Sequence, residues 1–140
     1  MTQTKLQSFQ ISGDYTLSAV TTNATITEMF IKGTGGSNRL TIPQDTTWKF
    51  DIQIAARRTD ANDESAGYHY AGVIDRNILA ASTALVGTVQ TIMTPQEDTP
   101  AWTITITADT TNGALKVEVT GEALKTISWL ASVKIVEVTG

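Results

Sequence analysis

Between Trp48 and Arg58 apolar and polar residues alternate one for one, with Trp48, Phe50, Ile52, Ile54 and Ala56 on one parity and Lys49, Asp51, Gln53 and Arg57 on the other. Successive side chains of an extended chain point to opposite faces, whereas a helix would scatter both sets around its axis, so this stretch specifies a strand with one buried face. The same period returns where Trp102, Ile104, Ile106 and Ala108 stand against Thr103, Thr105 and Thr107, and where Leu115, Val117 and Val119 stand against Lys116, Glu118 and Thr120. Between these two runs lies Asp109-Thr110-Thr111-Asn112-Gly113, whose Asn-Gly pair suits the positive backbone torsions of a tight turn. The two runs are therefore expected to pair as an antiparallel hairpin.

Shorter windows of the same kind occur at residues 6–11, 16–20, 25–31, 39–42, 68–74 and 89–93, each bounded by Gly, Pro, Asn or Asp. Twenty-five of the 140 residues are threonine, which is stiff at its first torsion and prefers a pleated surface to a helix. The last window, from Ile127 to Val138, differs from the rest. Ile127, Trp129, Ala131, Val133 and Ile135 make one apolar face, but Leu130, Val136 and Val138 make the opposite face partly apolar as well. A strand apolar on both faces is expected to be covered on both, inside a sandwich or against another subunit. The best helical candidate, Asn77 to Leu85, offers only about two turns, which are marginal without packing. Strands spaced roughly ten residues apart with turn signals between them predict an all-β fold, an antiparallel β-sandwich of jelly-roll type. Residues 1–20 then form an N-terminal arm or first strand and residues 21–140 the sandwich domain.

Reactive chemistry finds little to work with. There is no cysteine, so disulfides, thiolate nucleophiles and sulfur-based zinc sites are excluded. The single histidine, His69, lies on the parity opposite Tyr68 and Tyr70 and is expected to be a partly exposed strand residue rather than a catalytic base or metal ligand. Asp60-Ala61-Asn62-Asp63-Glu64 resembles the start of a calcium loop, but the sixth position is Ser65 and the twelfth Ala71, so it is expected to be a charged turn paired with Arg57 and Arg58. The glycine-rich Gly33-Thr34-Gly35-Gly36-Ser37 lacks the lysine and the helix of a phosphate cradle. A carboxylate pair for glycoside hydrolysis would have to come from Asp45, Asp51, Asp75, Glu97 and Asp98, whose separations the sequence does not give. Trp48, Trp102 and Trp129 all fall on apolar parities and are expected in the core, leaving Tyr15, Tyr68 and Tyr70 as candidates for a stacking surface. A net charge of −4 with scattered basic residues argues against nucleic acid as a partner, and the longest apolar-leaning run, Ile78 to Val86, is too short to span a membrane. No cofactor, metal site or catalytic set is expected, so the chain reads as a non-enzyme.

The order Arg39-Leu-Thr-Ile-Pro43, Thr46-Thr-Trp48-Lys-Phe50-Asp-Ile-Gln-Ile54 and Ala56-Arg57-Arg58-Thr59-Asp60, followed by Glu64-Ser-Ala-Gly-Tyr68, Gly72-Val-Ile-Asp75, Ala84-Leu-Val-Gly87, Ala101-Trp102 and Val119-Thr-Gly-Glu122, resembles the carboxy-terminal β domain of bacteriophage tail fibres and related virion proteins. The resemblance runs from about Thr21 to the end. It implies a trimeric virion component assembled in the host cytoplasm, whose partners are itself, capsid or tail proteins and a host surface glycan. With Met1 as the start, some twenty residues precede the shared stretch, too few for a fibre stalk, so a capsid decoration protein clamped on the shell is expected. The alternative is a receptor- or glycan-binding tip domain, with Tyr68, Tyr70 and Asn38 facing the receptor. One stretch departs from the family: Asn77-Ile78-Leu79-Ala80-Ala81-Ser82 replaces a short polar turn with a longer apolar one. Ile78 and Leu79 are therefore expected, with Leu130, Val136 and Val138, to contact a partner.

Overall fold

A computed structural model describes residues 11–31, 33 and 38–140. The chain runs β1 (Ile11–Thr21), β2 (Thr27–Glu28), β3 (Phe30–Ile31), β4 (Leu40–Thr41), β5 (Thr46–Arg58), β6 (Ser65–Arg76), β7 (Ala84–Glu97), β8 (Thr103–Asp109), β9 (Ala114–Thr120) and β10 (Ile127–Thr139). Six of these make one sheet in the order β3-β1-β10-β5-β6-β7, and β2, β4 and β8 gather around β9 in a second. Every strand pairing is antiparallel. The protein is all-β and sandwich-like, and among the described residues no helix is long and apolar enough to cross a membrane. The expected strand at residues 6–11 falls, apart from Ile11, outside the described residues, as do residues 34–37 of the glycine-rich loop. β1 runs across position 20, where an arm and a body were expected to meet, and pairs along its whole length with β10.

The alternation at Trp48 is realised in full. Trp48, Phe50, Ile52, Ile54 and Ala56 of β5 are all buried, and they lie in register with the inner residues of β10, Trp129 beside Ala56 and Val133 beside Ile52. Leu115, Val117 and Val119 of β9 close the core from the second sheet, helped by Met29, Leu40 and Ile42. Trp102 and Trp129 bridge the two sheets with ring centroids 5.7 Å apart at a tilt of 58°, a geometry that contributes about 0.5–1.5 kcal/mol beyond area burial. All three indole N–H groups have acceptors: Trp48 donates to Glu137, Trp102 to Glu122 and Trp129 to the hydroxyl of Thr21. Burial of these polar atoms therefore leaves nothing unsatisfied. Gly72 lies beneath the ring of Phe50, where a Cβ would come within 2.6 Å of Cζ, so only glycine lets the ring pack flat on β6.

Three local features refine the reading of the sequence. The stretch from Asn77 to Leu85 forms no α-helix. It makes a single 3-10 turn, Ala80–Ser82, and is extended again by Ala84, where pairing with Asp75 on β6 supplies hydrogen bonds that a two-turn helix could not match. In the β8–β9 hairpin Gly113 alone takes a positive φ, 66°, and Asn112 does not. The Asp109 carboxylate organises the turn instead, accepting the backbone N–H groups of Thr111 and Asn112 at 3.0 Å and the Asn112 side-chain amide at 2.8 Å. Burial pushes the pKa of Asp109 up, but these hydrogen bonds outweigh it and hold the group below its ordinary value. Finally, Ile104, Ile106 and Ala108 pack inward against the core, as their parity predicts, but remain half-buried because β8 is an edge strand of the smaller sheet.

Candidate interaction surface

The outer face of the six-stranded sheet, turned away from β9, is assembled by register. Rows of neighbouring side chains run across the strands: Val138, Thr47, Asp75 and Ala84; then Val136, Lys49, Val73 and Val86; further along, Ser132, Gln53, His69 and Met93; then Ser18, Leu130, Ala55 and Gly67. Leu130, Val136 and Val138 are each about half exposed on this face, so among the described residues β10 is fully covered on its inner side alone. Val86 and Met93 on β7, in register with Val73 and His69, carry exposed apolar side chains to the sheet edge.

The five residues expected to contact a partner are all exposed, but they do not form one patch. Val136 and Val138 are neighbours. Leu130 lies six residues further along the same strand, about 20 Å away, beyond Lys134 and Ser132. Ile78 and Leu79 project from the β6–β7 connection, 62% and 68% exposed, at the end of the sheet that also carries Val138.

The receptor-facing set divides differently. Tyr68 is buried, its ring stacks on Tyr70 at 6.4 Å, and its hydroxyl donates to Glu97 at 2.7 Å. It is a core residue and is unavailable to a receptor, because the parity opposite His69 is the inner one. Tyr70 is half-buried in the seam between β7 and β8, beside Val89, Ile104 and Ile106. Burial pushes both phenols above their ordinary pKa. Tyr15 and Asn38 are exposed. His69 sits on the outer face with Nε2 at 2.9 and 3.0 Å from the two oxygens of Asp51.

The other four carboxylates offered for hydrolysis are placed separately: Glu97 accepts from the Tyr68 hydroxyl, Asp98 accepts the N–H of Ser65, Asp45 occupies a turn at φ 54°, and Asp75 lies in register with Thr47 on the outer face. The acidic turn pairs with arginine as expected, though through Arg58 alone, which reaches Asp60 at 2.7 Å and Glu64 at 2.8 Å. Arg57 donates to Ser65 and to the carbonyl of Asn62. Glu64 also accepts from Lys125 and Thr99, and Lys125 in turn pairs with Glu122. These donors, Lys125 first, hold the Glu64 carboxyl down at about 2. Three loops are thereby tied together at one end of the molecule. From this end Leu124 projects almost wholly into solvent with a left-handed φ of 65°, a conformation that is strained for leucine.

One feature left no mark in the sequence. At the same end of the outer face a trough of about 730 Å³ opens among Ser18, Val20, Ala55, Arg57, Ser128 and Leu130. Each of its short residues looks like an ordinary solvent-facing position. The depression exists because register sets Ser18 and Ala55 on either side of Leu130 and Val20 beside Ser128. Compared with protein-family models and with curated proteins, the chain matches none.

Proposed function

We propose that this chain is a non-enzymatic structural protein of the bacteriophage virion surface, a decoration protein that works as an oligomer, a trimer by analogy with stalked fibre domains, clamped on the capsid through a jelly-roll-type body. The observation that carries this reading is the outer face of β10. The core is complete within one copy, yet Leu130, Val136 and Val138 stand half exposed above it, with Val86 and Met93 alongside. Val136 and Val138 adjoin at one end of this face and Leu130 stands apart at the other, and exposed apolar side chains on a sheet face are what a partner covers, a stable interface needing on the order of 800 Å² per partner. The virion setting rests on the resemblance of the residue order to fibre-tip domains. Localisation to the particle follows from this reading, with self and capsid or tail proteins as partners, and without nucleic acid or membrane insertion.

Sedimentation of the purified chain and its binding to undecorated phage shells test the proposal together. Oligomers that bind shells and raise their resistance to heat support it; monomers at every concentration, or oligomers indifferent to shells, sink it.

A second reading is favoured by Leu124. A leucine held in strained backbone on a braced loop end suits a tip that touches a host receptor or surface glycan. Loss of adsorption by phage carrying Leu124→Ser, with particle stability unchanged, would move the reading to the tip.

A further inference from the structure

We propose that Asn112-Gly113 is a latent deamidation site that Asp109 holds closed, so that the β8–β9 turn is converted, irreversibly, only when the hairpin opens. The turn belongs to the smaller sheet, so this chemistry is independent of any assembly through the outer face of the larger one.

Spontaneous deamidation begins when the backbone nitrogen of the residue after an asparagine attacks the side-chain carbonyl carbon. A new N–Cγ bond closes a five-membered succinimide, the attacking nitrogen gives its proton to water, and the side-chain nitrogen leaves as ammonia. Water then opens the ring at either carbonyl and leaves aspartate or its β-linked isomer, one water being consumed for each ammonia released. Glycine in the following position hinders the attack least, because it has no side chain and its backbone turns freely. Asn112-Gly113 is the only Asn-Gly pair in the sequence, and Asn112 is exposed to the water that the reaction needs.

Both reacting groups are tied to Asp109. The Gly113 N–H, which carries the nucleophilic nitrogen, donates to the Asp109 carbonyl at 2.9 Å, and the Asn112 side-chain amide, the leaving group, donates to Asp109 Oδ2 at 2.8 Å. Oδ1 accepts the backbone N–H groups of Thr111 and Asn112, so the same carboxylate fixes the chain that leads into the reacting pair. Gly113 itself is buried, which keeps water from its N–H. Attack requires the first two bonds to part, and the second is charge-assisted, roughly twice as strong as a neutral one.

The hazard cannot be removed at Gly113. Its φ of 66° is left-handed, and a Cβ there would come within 2.6 Å of Arg76 Nη1, so the position is reserved for glycine. The Gly113 carbonyl accepts the N–H of Ile42 at 2.8 Å, and Arg76 donates to the Ile42 carbonyl at 2.9 Å. Conversion to the β-linked isomer inserts one carbon into the backbone beside these anchors. It also replaces the amide donor at residue 112 by an acceptor and sets a second carboxylate against Asp109. The converted turn cannot remake the full set of contacts, so each opening that ends in chemistry is recorded permanently.

Peptide mapping by mass spectrometry reads the loss of the amide at residue 112. In mildly alkaline buffer the folded chain should convert at least about 10-fold more slowly than the urea-unfolded chain, and sub-denaturing urea should speed conversion in step with hydrogen exchange at the Gly113 amide. Asp109→Ala, shown by circular dichroism to be folded, should convert about 10-fold faster than the parent, the change expected when charge-assisted hydrogen bonds are lost. A folded parent that converts as fast as the unfolded chain overturns the proposal, and a folded Asp109→Ala as slow as the parent overturns the part given to Asp109. Where Asp109→Ala does not fold, Asp109→Asn, which keeps the shape and removes the charge, takes its place. The urea series on the parent needs no variant at all: conversion that does not follow opening of the hairpin overturns the proposal.

Discussion

β10 presents two apolar faces to two different surroundings. Inward, Ile127, Trp129, Ala131, Val133 and Ile135 are at most 3% exposed; outward, Leu130, Val136 and Val138 remain about half exposed. The backbone is shared, with β1 paired along one edge and β5 along the other, so neither strand propensity nor hydrogen bonding distinguishes the faces. What distinguishes them is the second layer. Trp102 and β9 cover the inner face, and no second layer of the described residues covers the outer one. Full burial of a Val or Leu side chain contributes about 1.5–3 kcal/mol, so each outward residue leaves a substantial part of that unrealised within the described fold. A strand's apolar residues thus stabilise the fold or the assembly according to which layer reaches them.

The sharpest way to break this contrast is at its inner side. Trp129→Ala should lower the unfolding free energy by about 3–5 kcal/mol, as large aromatic truncations in cores do, and calorimetry would show it as a marked drop in Tm. An unchanged Tm would mean that the inner face is not the core.

A smaller effect is expected at the braced loop end, which belongs to neither face. Donors from Lys125, Thr99 and Arg58 hold the folded Glu64 at about 2 against an ordinary value of 4.5. With the folded pKa depressed, this stabilisation is complete above pH 4.5 and is lost as pH falls toward 2. Glu28 works in the opposite sense, since burial pushes its pKa up, so the useful measurement is a difference. Between pH 5 and 2, by the same linkage, Tm of the parent should fall more steeply than that of Glu64→Gln. Parallel curves would show that the network adds nothing to stability.

The smallest effect on folding, and the most informative about assembly, belongs to the outer face. Val136→Asp and Val138→Asp should shift monomer stability by no more than about 0.5 kcal/mol, as exposed substitutions usually do, yet weaken self-association in sedimentation. A large loss of stability would show that this face is already covered within the monomer.

Some of this architecture was plain in the residues. β5, β9 and the inner side of β10 each carry an unbroken period of two, and the burial of all three tryptophans follows from their parity. β7 was far less legible. Its register against β6 shifts between Gly67 and His69, between His69 and Tyr70, and between Ala71 and Val73; each of the first two adds one residue on β7 and flips its parity, while the third adds two and leaves it unchanged. Adjacent Ile92 and Met93 are consequently both exposed, which no strict alternation predicts. Tyr68 was misjudged for a related reason: in Gly67-Tyr68-His69-Tyr70 the parities are clear, but which of them is inner depends on pairing with β5, where Tyr68 stands beside Ile54.

The sequence by itself determined that the chain is extended, where the main strands run, and which parity of the strongest ones lies inside, because alternation of side chains is a property of local backbone geometry. Only the tertiary structure decided that Tyr68 is buried, that Leu130 stands apart from Val136, and that short residues from three strands open a trough opposite the Ile78-Leu79 loop. Those relations depend on cross-strand register and on which layer covers which face, and both are set by contacts between residues far apart along the chain.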